Sequence, residues 1–290
     1  MERFFAKQDG PILSVLERHL PAWKRNLLKQ KLRDRQVQVN GRTVARHDDP
    51  IQAGDCVEIR PRAEEVGPRR LPMGLRVVFE DPHLIVVDKP AGLLAVSSPK
   101  EREKTVLALV RNALQSQERR NVRLWPVHRI DRGTSGLLML ARSHQVRESM
   151  QANWSQVRKE YLAVLEGVWP HEQGCIDAPL REGKDLKVYV VPAHERDAKR
   201  AVTHYLLHKR FSARTALRVR LETGRKHQIR VHFSNAGHPL LGDVQYGAAA
   251  HPIGRPALHA HRLHFPHPHS GQRIELESPI PADLQAVLRD

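Results

Sequence analysis

Apolar residues in the N-terminal stretch fall first at helical spacing and then at every second position, so the chain is expected to open with helices and continue into strands. Ile12, Leu13, Val15, Leu16 and Leu20 trace one helical face, which Pro21 ends, and Leu27, Leu28 and Leu32 trace a second. Val37 and Val39 then alternate with Gln36 and Gln38 up to Asn40-Gly41, a tight-turn dipeptide; Gly54-Asp55 precedes another alternating run, Cys56 to Arg60. The expected unit, over residues 1–62, is a compact hairpin docked on two helices.

From Pro61 to Gly74 the periodicity disappears among prolines, glycines and mixed charges, which predicts a linker over residues 63–74. The remainder, residues 75–290, reads mainly as strands: Val77 to Phe79, Leu84 to Val87, Leu137 to Leu140, Tyr161 to Leu165, Val188 to Val191, Val202 to Leu207, Ala216 to Leu221, Leu258 to Phe265 and Ile274 to Leu276. Helical spacing is confined to Thr105 to Gln115, Gln145 to Asn153, His227 to Asn235 and Ala282 to Leu288. Strands and helices do not alternate as a doubly wound fold requires, so the expected class is α+β with a mixed, largely antiparallel sheet, preceded by the small α/β unit.

Charge narrows the partners. The 290 residues carry 48 Lys and Arg against 32 Asp and Glu, a formal net charge of +16, and an excess of that size points to a polyanion. No apolar run approaches the roughly 18 to 20 residues needed to span a bilayer, and Met1 to Gln30 is charged throughout, so neither membrane insertion nor secretion is expected. Cys56 and Cys175 are too few for a disulfide framework, which suits a reducing cytoplasm.

The second helix concentrates that charge. Lys24, Arg25, Lys29, Lys31, Arg33 and Arg35 face a single acid, Asp34, across residues 24–35. They form either a solvated helix surface or a phosphate-binding face. Helix, basic helix, strand, Val39-Asn40-Gly41 and a closing strand after Gly54-Asp55 resemble the S4 RNA-binding domain over about 50 residues. That resemblance implies salt-dependent affinity for an RNA backbone and little base readout.

The segment with the highest information content is His128-Arg129-Ile130-Asp131-Arg132-Gly133-Thr134-Ser135-Gly136, which runs into apolar Leu137 to Leu140. Asp131 stands between two arginines in a glycine-flanked loop. It could be a turn residue paired with Arg129 or Arg132, or an ionised carboxylate able to act as nucleophile or base at a sugar carbon. The block resembles the His-Arg-Leu-Asp-x-x-Thr-Ser-Gly signature of the RluA-type RNA pseudouridine synthases. Lys89-Pro90-Ala91-Gly92-Leu93, Lys159-Glu160-Tyr161 and Thr223-Gly224-Arg225-Lys226-His227-Gln228-Ile229-Arg230-Val231-His232 resemble further blocks of that family, in the same order. Gly237 to Asp243 and Leu258-His259-Ala260 resemble its closing blocks, so the likeness runs from about Leu75 to Pro281. Two departures stand out: Ile130 replaces the usual Leu, and Ala95-Val96-Ser97-Ser98 lacks a His-Pro pair common at that place.

The resemblance implies isomerisation of uridine to pseudouridine in RNA, with Asp131 as catalytic carboxylate, Tyr161 against the base, Arg230 paired with Asp131, and Arg129 holding the displaced nucleotide. It favours ribosomal over transfer RNA as substrate and no cofactor, and the chain is expected to act as a monomer. Since a paired base hides its glycosidic bond, the target uridine would be extruded. Two other readings remain: a catalytically idle RNA-binding or ribosome-assembly factor on the same fold, and a glycosidase acting on a free nucleoside. His251, His259, His261, His264, His267 and His269 crowd the C-terminal stretch, but without an acid or thiol among them no metal site is expected.

Overall fold

The computed structural model describes residues 2–33, 36–59, 69–99, 101–118, 121–249 and 251–289. The chain divides into two compact units, Met1–Gly67 and Pro68–Asp290. Each is built around its own core.

In the first unit, helices Ile12–His19 and Arg25–Arg33 bury Ile12, Leu13, Val15, Leu16, Leu28 and Leu32 against Val37 and Val57. Leu27, expected on the apolar face, is instead 41% exposed, because Leu28 and Leu32 already fill the contact. The sheet is larger than the expected hairpin. Val37–Val39 pairs across the Asn40-Gly41 turn with Arg42–Val44 as well as, on its other edge, with Cys56–Ile59. Positive φ angles at Asn40 and Gly41, 49° and 80°, close the two-residue turn and so fix the short partner. Cys56–Ile59 lies on the other side of Val37–Val39 and also pairs with Glu2–Phe5, giving the order Glu2–Phe5, Cys56–Ile59, Val37–Val39, Arg42–Val44.

On the basic helix, Lys24, Arg25 and Arg33 are exposed, while Lys29 and Lys31 are half-buried. Arg25 pairs with Glu17 at 3.3 Å, and Lys31 sits 6.0 Å from the Trp23 ring. Arg35 lies outside the described residues.

The second unit is built on a sheet of eleven strands among the described residues. Its main path is Gln173–Asp177, Val202–Arg210, Arg214–Leu221, Arg158–Glu166, Leu258–Pro266, Ser135–Ala141, Leu84–Lys89, Arg76–Glu80 and Arg69–Arg70. The predicted linker therefore overreaches: Arg69–Arg70 pairs with Arg76 and Val77, and Pro72–Gly74 is the 3-10 turn between those strands. Short strands bounded by prolines carry too few apolar positions to show a period.

Leu84–Lys89 and Ser135–Ala141 are buried on both faces, which explains their continuous apolar runs. Ile85, Val87, Leu138 and Leu140 face a core closed by helix Val106–Glu118; Leu84, Val86, Leu137 and Met139 face another that includes Met150 of helix His144–Ala152. All ladders among the described residues are antiparallel except one. Ser135 and Gly136 pair in parallel with His259 and Ala260. A Cβ on Gly136, whose φ is +107°, would overlap the Ala260 carbonyl oxygen, so this approach requires glycine.

Candidate active site

That parallel contact aligns three strands in one register: Gly136 opposite Ala260, and Ala260 opposite Tyr161, with a bulge between Glu160 and Tyr161. The loop preceding Ser135–Ala141 is thereby brought beside Tyr161. Its conformation is fixed from beneath. Thr134 N donates to the Asp131 carbonyl at 3.1 Å, Arg132 Nε donates to the Gly92 carbonyl at 2.9 Å, and Gly92 N returns a bond to the Arg132 carbonyl at 2.8 Å. Lys89, fully buried, donates from Nζ to the carbonyls of Pro90, Leu93 and Arg132 at 3.0, 2.9 and 3.2 Å. Burial pushes its amine down to about 7 in spite of Asp131 nearby. The Lys-Pro-Ala-Gly block is thus the brace of the Asp131 loop.

Behind the loop, Arg255 forms a bidentate pair with Asp283 at 2.6 and 3.0 Å and donates to the Gly133 carbonyl at 3.3 Å. Ser135 Oγ lies 2.9 Å from His259 Nδ1, and burial pushes that imidazole down to about 4. His259 and His261 both point at the Ser278 carbonyl, while His267 meets Asp81 at 2.6 Å. These histidines serve strand and loop contacts; among the described residues no group of three or more His, Cys, Asp or Glu is arranged to hold a metal ion.

Asp131 is about a quarter exposed, in a cleft of about 810 Å³ whose walls include Arg129, Tyr161, Lys159, Trp154, His227 and Arg230. Leu94, Ala95 and Val96 line the same cleft, so the segment that departs from the family pattern forms part of its wall. Neither flanking arginine pairs with Asp131: Arg132 turns back to Gly92, and Arg129 stands exposed at the cleft. The basic neighbours of Asp131 come from helix Gln228–Asn235 and its cap. Arg230 Nη1 lies 3.6 Å and His227 Nε2 lies 4.0 Å from Asp131 Oδ2.

Arg230 is not a helix-surface residue. Its side chain is 8% exposed and is held by Asp243 at 2.6 and 2.7 Å, by Gln245 Oε1 at 2.9 Å, and over the Tyr246 ring at 4.8 Å. A planar guanidinium gripped on two edges cannot swing, so the nitrogen facing Asp131 is pre-positioned. His227 has a left-handed backbone, φ 55°, and its Nδ1 lies 2.7 Å from the Tyr246 hydroxyl, which accepts from Val188 N at 3.1 Å. The arrangement favours the phenol donating to Nδ1, with the ring proton on Nε2 toward Asp131. Burial lowers the affinity of His227 for a second proton, Asp131 opposes that, and Arg230 and Lys226 reinforce it.

The Tyr161 phenol is buried, and both that burial and the charge of Asp131 raise its ionisation well above the ordinary value. It stays protonated at neutral pH. An anionic oxygen, a fixed guanidinium, a neutral phenol and a buried amine at Lys159 thus share one cleft, a set suited to making or taking a bond or proton at a sugar carbon beside a planar base.

The comparisons decide the family. A family model described as RNA pseudouridylate synthase matches residues 83–235. The chain belongs to that family. An uncharacterized RNA pseudouridine synthase of Bacillus subtilis, YlyB, is 38% identical over 92% of this chain and 89% of its own length. Ribosomal large subunit pseudouridine synthase D of Xanthomonas campestris is 36% identical over 95% of this chain and 87% of its own. Among solved structures, human RNA pseudouridylate synthase domain containing 4 superposes with a TM-score of 0.60 at 25% identity, over 73% of this chain and 91% of that one. The protein is thus an RNA pseudouridine synthase, an isomerase of uridine in RNA, on the α+β fold expected for one. Among its described residues no helix is long and apolar enough to cross a membrane.

Asp131, Tyr161, Arg230 and Arg129, the residues that the sequence motifs single out, all line the cleft. The motifs alone point to no role for Asp243, Gln245, Tyr246, His227 or Lys159. Asp243 and Lys159 lay inside the quoted blocks, but only the fold reveals that one grips Arg230 and the other is buried beside Trp154.

Proposed function

We propose that this synthase acts on uridine in ribosomal RNA and that Asp131 is its catalytic carboxylate. The observation that carries the assignment is the Asp131 carboxylate in the cleft, 3.6 Å from an arginine which Asp243 holds fixed. Tyr161 would lie against the extruded base, and Arg129, exposed at the cleft, would meet the phosphate or sugar of the displaced nucleotide. The ribosomal substrate is supported by the similarity to the Xanthomonas relative, a ribosomal large subunit pseudouridine synthase by name.

The first unit acts in this reading as an S4-like RNA-binding domain of a cytoplasmic, monomeric enzyme. Lys24, Arg25, Lys29, Lys31 and Arg33 supply sequence-independent phosphate contacts, with Arg35 assigned the same role from sequence alone. No cofactor is invoked, since isomerisation needs no redox equivalent or energy source. The test is to map pseudouridines in ribosomal and transfer RNA from cells with and without the gene. Loss of one or a few sites in large-subunit ribosomal RNA supports the assignment; an unchanged ribosomal map with a lost transfer RNA site refutes it.

A further inference from the structure

Lys159 is a buried cation without a counter-ion. Its residue is 8% exposed, and among the described residues its ammonium has no ion-pair or hydrogen-bond partner. It stands 4.9 Å from the Trp154 ring and 3.6 Å from where a Cβ on Gly224 would sit. Trp154 in turn packs against His128, 5.4 Å between ring centroids; burial, then Lys159, holds that imidazole neutral, at about 3. The amine is therefore flanked by indole and glycine, with the neutral imidazole packed on the indole, and the same cleft contains Asp131 and Tyr161. Burying a charge without a partner costs free energy, and an aromatic face offsets only part of that cost.

An RNA phosphate is a poor complement for a cation at this depth, whereas exposed Arg129 can meet one. The base is the better complement, because it becomes anionic only during the reaction. Whether Asp131 opens the step by bonding to C1′ or by taking the C2′ proton, the N1–C1′ electron pair leaves on uracil and spreads over O2 and O4. The base returns an electron pair when C5 bonds to C1′, the C5 proton departs and N1 takes one up. The Asp131 to C1′ bond breaks as the C5–C1′ bond forms, returning the electron pair to the carboxylate, or the C2′ proton is returned as C5 adds to C1′, so no co-reactant is required.

We infer that Lys159 is a catalytic residue whose ammonium donates a hydrogen bond to a uracil carbonyl oxygen as the N1–C1′ bond breaks. This rests on the cleft being the uridine site. Burial holds the amine down to about 8, so it is still largely charged at pH 7. A preorganised donor of this kind acts mainly on the transition state, where the charge appears.

The test compares the full-length wild type with Lys159→Met and Lys159→Arg on large-subunit ribosomal RNA transcribed without modifications, under single turnover. Removing the donor should lower the rate of glycosidic cleavage by about 10² to 10³, while RNA affinity stays within about threefold. Because the methionine variant relieves an unpaired buried charge, its melting midpoint should not fall. Lys159→Arg should recover part of the rate. The deficit of the methionine variant should shrink by about tenfold or more on transcript carrying 5-fluorouridine, whose electron-poor base leaves more readily. A Lys159→Met rate near the wild type overturns the inference. So does a rate loss matched by lost RNA affinity and equal on both transcripts, which would make Lys159 an RNA anchor. A wild type inactive on this transcript overturns the substrate reading and this inference with it.

Discussion

Arg230 gives one edge of its guanidinium, Nε and Nη2, to Asp243, at 2.6 and 2.7 Å, and faces Asp131 with its remaining terminal nitrogen at 3.6 Å. The cation is therefore shared, and its closer partner is not the proposed catalytic carboxylate. Asp243 neutralises much of the charge and fixes the plane; Asp131 keeps an oxygen available to substrate. A direct bidentate pair between Arg230 and Asp131 would have tied up the group that must react.

This sharing gives a first prediction. Asp243→Asn preserves shape but removes the charge that holds Arg230, leaving the guanidinium with Gln245 and Asp131 as partners. Arg230 should then close on Asp131, lowering single-turnover rate by about 10- to 100-fold with little change in RNA affinity. Breaking a buried pair should also cost about 3–5 kcal/mol of stability, read as a lower melting midpoint in the absence of RNA. An unchanged rate would show that Asp243 does not set the geometry.

Tyr161 raises a different question, since burial and Asp131 both keep its phenol protonated in the free enzyme. If Asp131 bonds to C1′, its charge disappears and one of those two causes is removed, which makes the phenol a better proton relay for C5 late in the reaction. Tyr161→Phe keeps the ring. It should leave glycosidic cleavage nearly intact and slow loss of the C5 proton by about 10² or more. Full retention of product formation would limit Tyr161 to stacking.

Lys89 couples the brace of the loop to pH. Its folded-state value, about 7, lies below its unfolded value near 10.5. Between those values the unfolded chain binds more protons, so stability rises with pH across that window and the penalty is greatest below pH 7. The melting midpoint of the wild type should therefore gain on that of Lys89→Met as pH is raised from 7 to 9. Parallel curves for the two proteins would contradict the assignment. The methionine variant also removes the Lys89 bonds to the Pro90, Leu93 and Arg132 carbonyls, leaving the Arg132 carbonyl with Gly92 N as its donor, and should lose activity through a displaced Asp131 loop.

Gly136 tests the register that brings the loop to Tyr161. Gly136→Ala meets both an unfavourable φ and the Ala260 carbonyl, so the parallel ladder must open. Poor soluble yield or a melting midpoint lower by about 10 °C or more is expected. Wild-type melting and activity would show the close approach to be dispensable.

The strands of the second unit were legible because burial on both faces or alternate burial leaves apolar runs, as in Leu84 to Val87 and Leu137 to Leu140. Glu2–Phe5 and Arg69–Arg70 were not, since edge strands with charged residues show no clear period. At the site, Asp131 could be found from its loop chemistry, but its partners could not. Arg129 and Arg132 are its sequence neighbours, yet a tight loop turns both away. Arg230 and His227 reach it from 96 or more positions along the chain, through a helix whose start depends on a left-handed His227. Asp243 was one residue of a block until the fold brought it to Arg230.

The most direct measurement is pseudouridine formation by Asp131→Asn under single turnover on RNA from cells lacking the gene. The substitution keeps size and removes the anionic oxygen. The account requires a folded variant, checked by circular dichroism and melting, that binds RNA with near wild-type affinity, because most of the electrostatic attraction comes from the 48 Lys and Arg residues. Its product should stay at background. A folded Asp131→Asn protein that forms pseudouridine near the wild-type rate would contradict the account and leave Asp131 a turn residue.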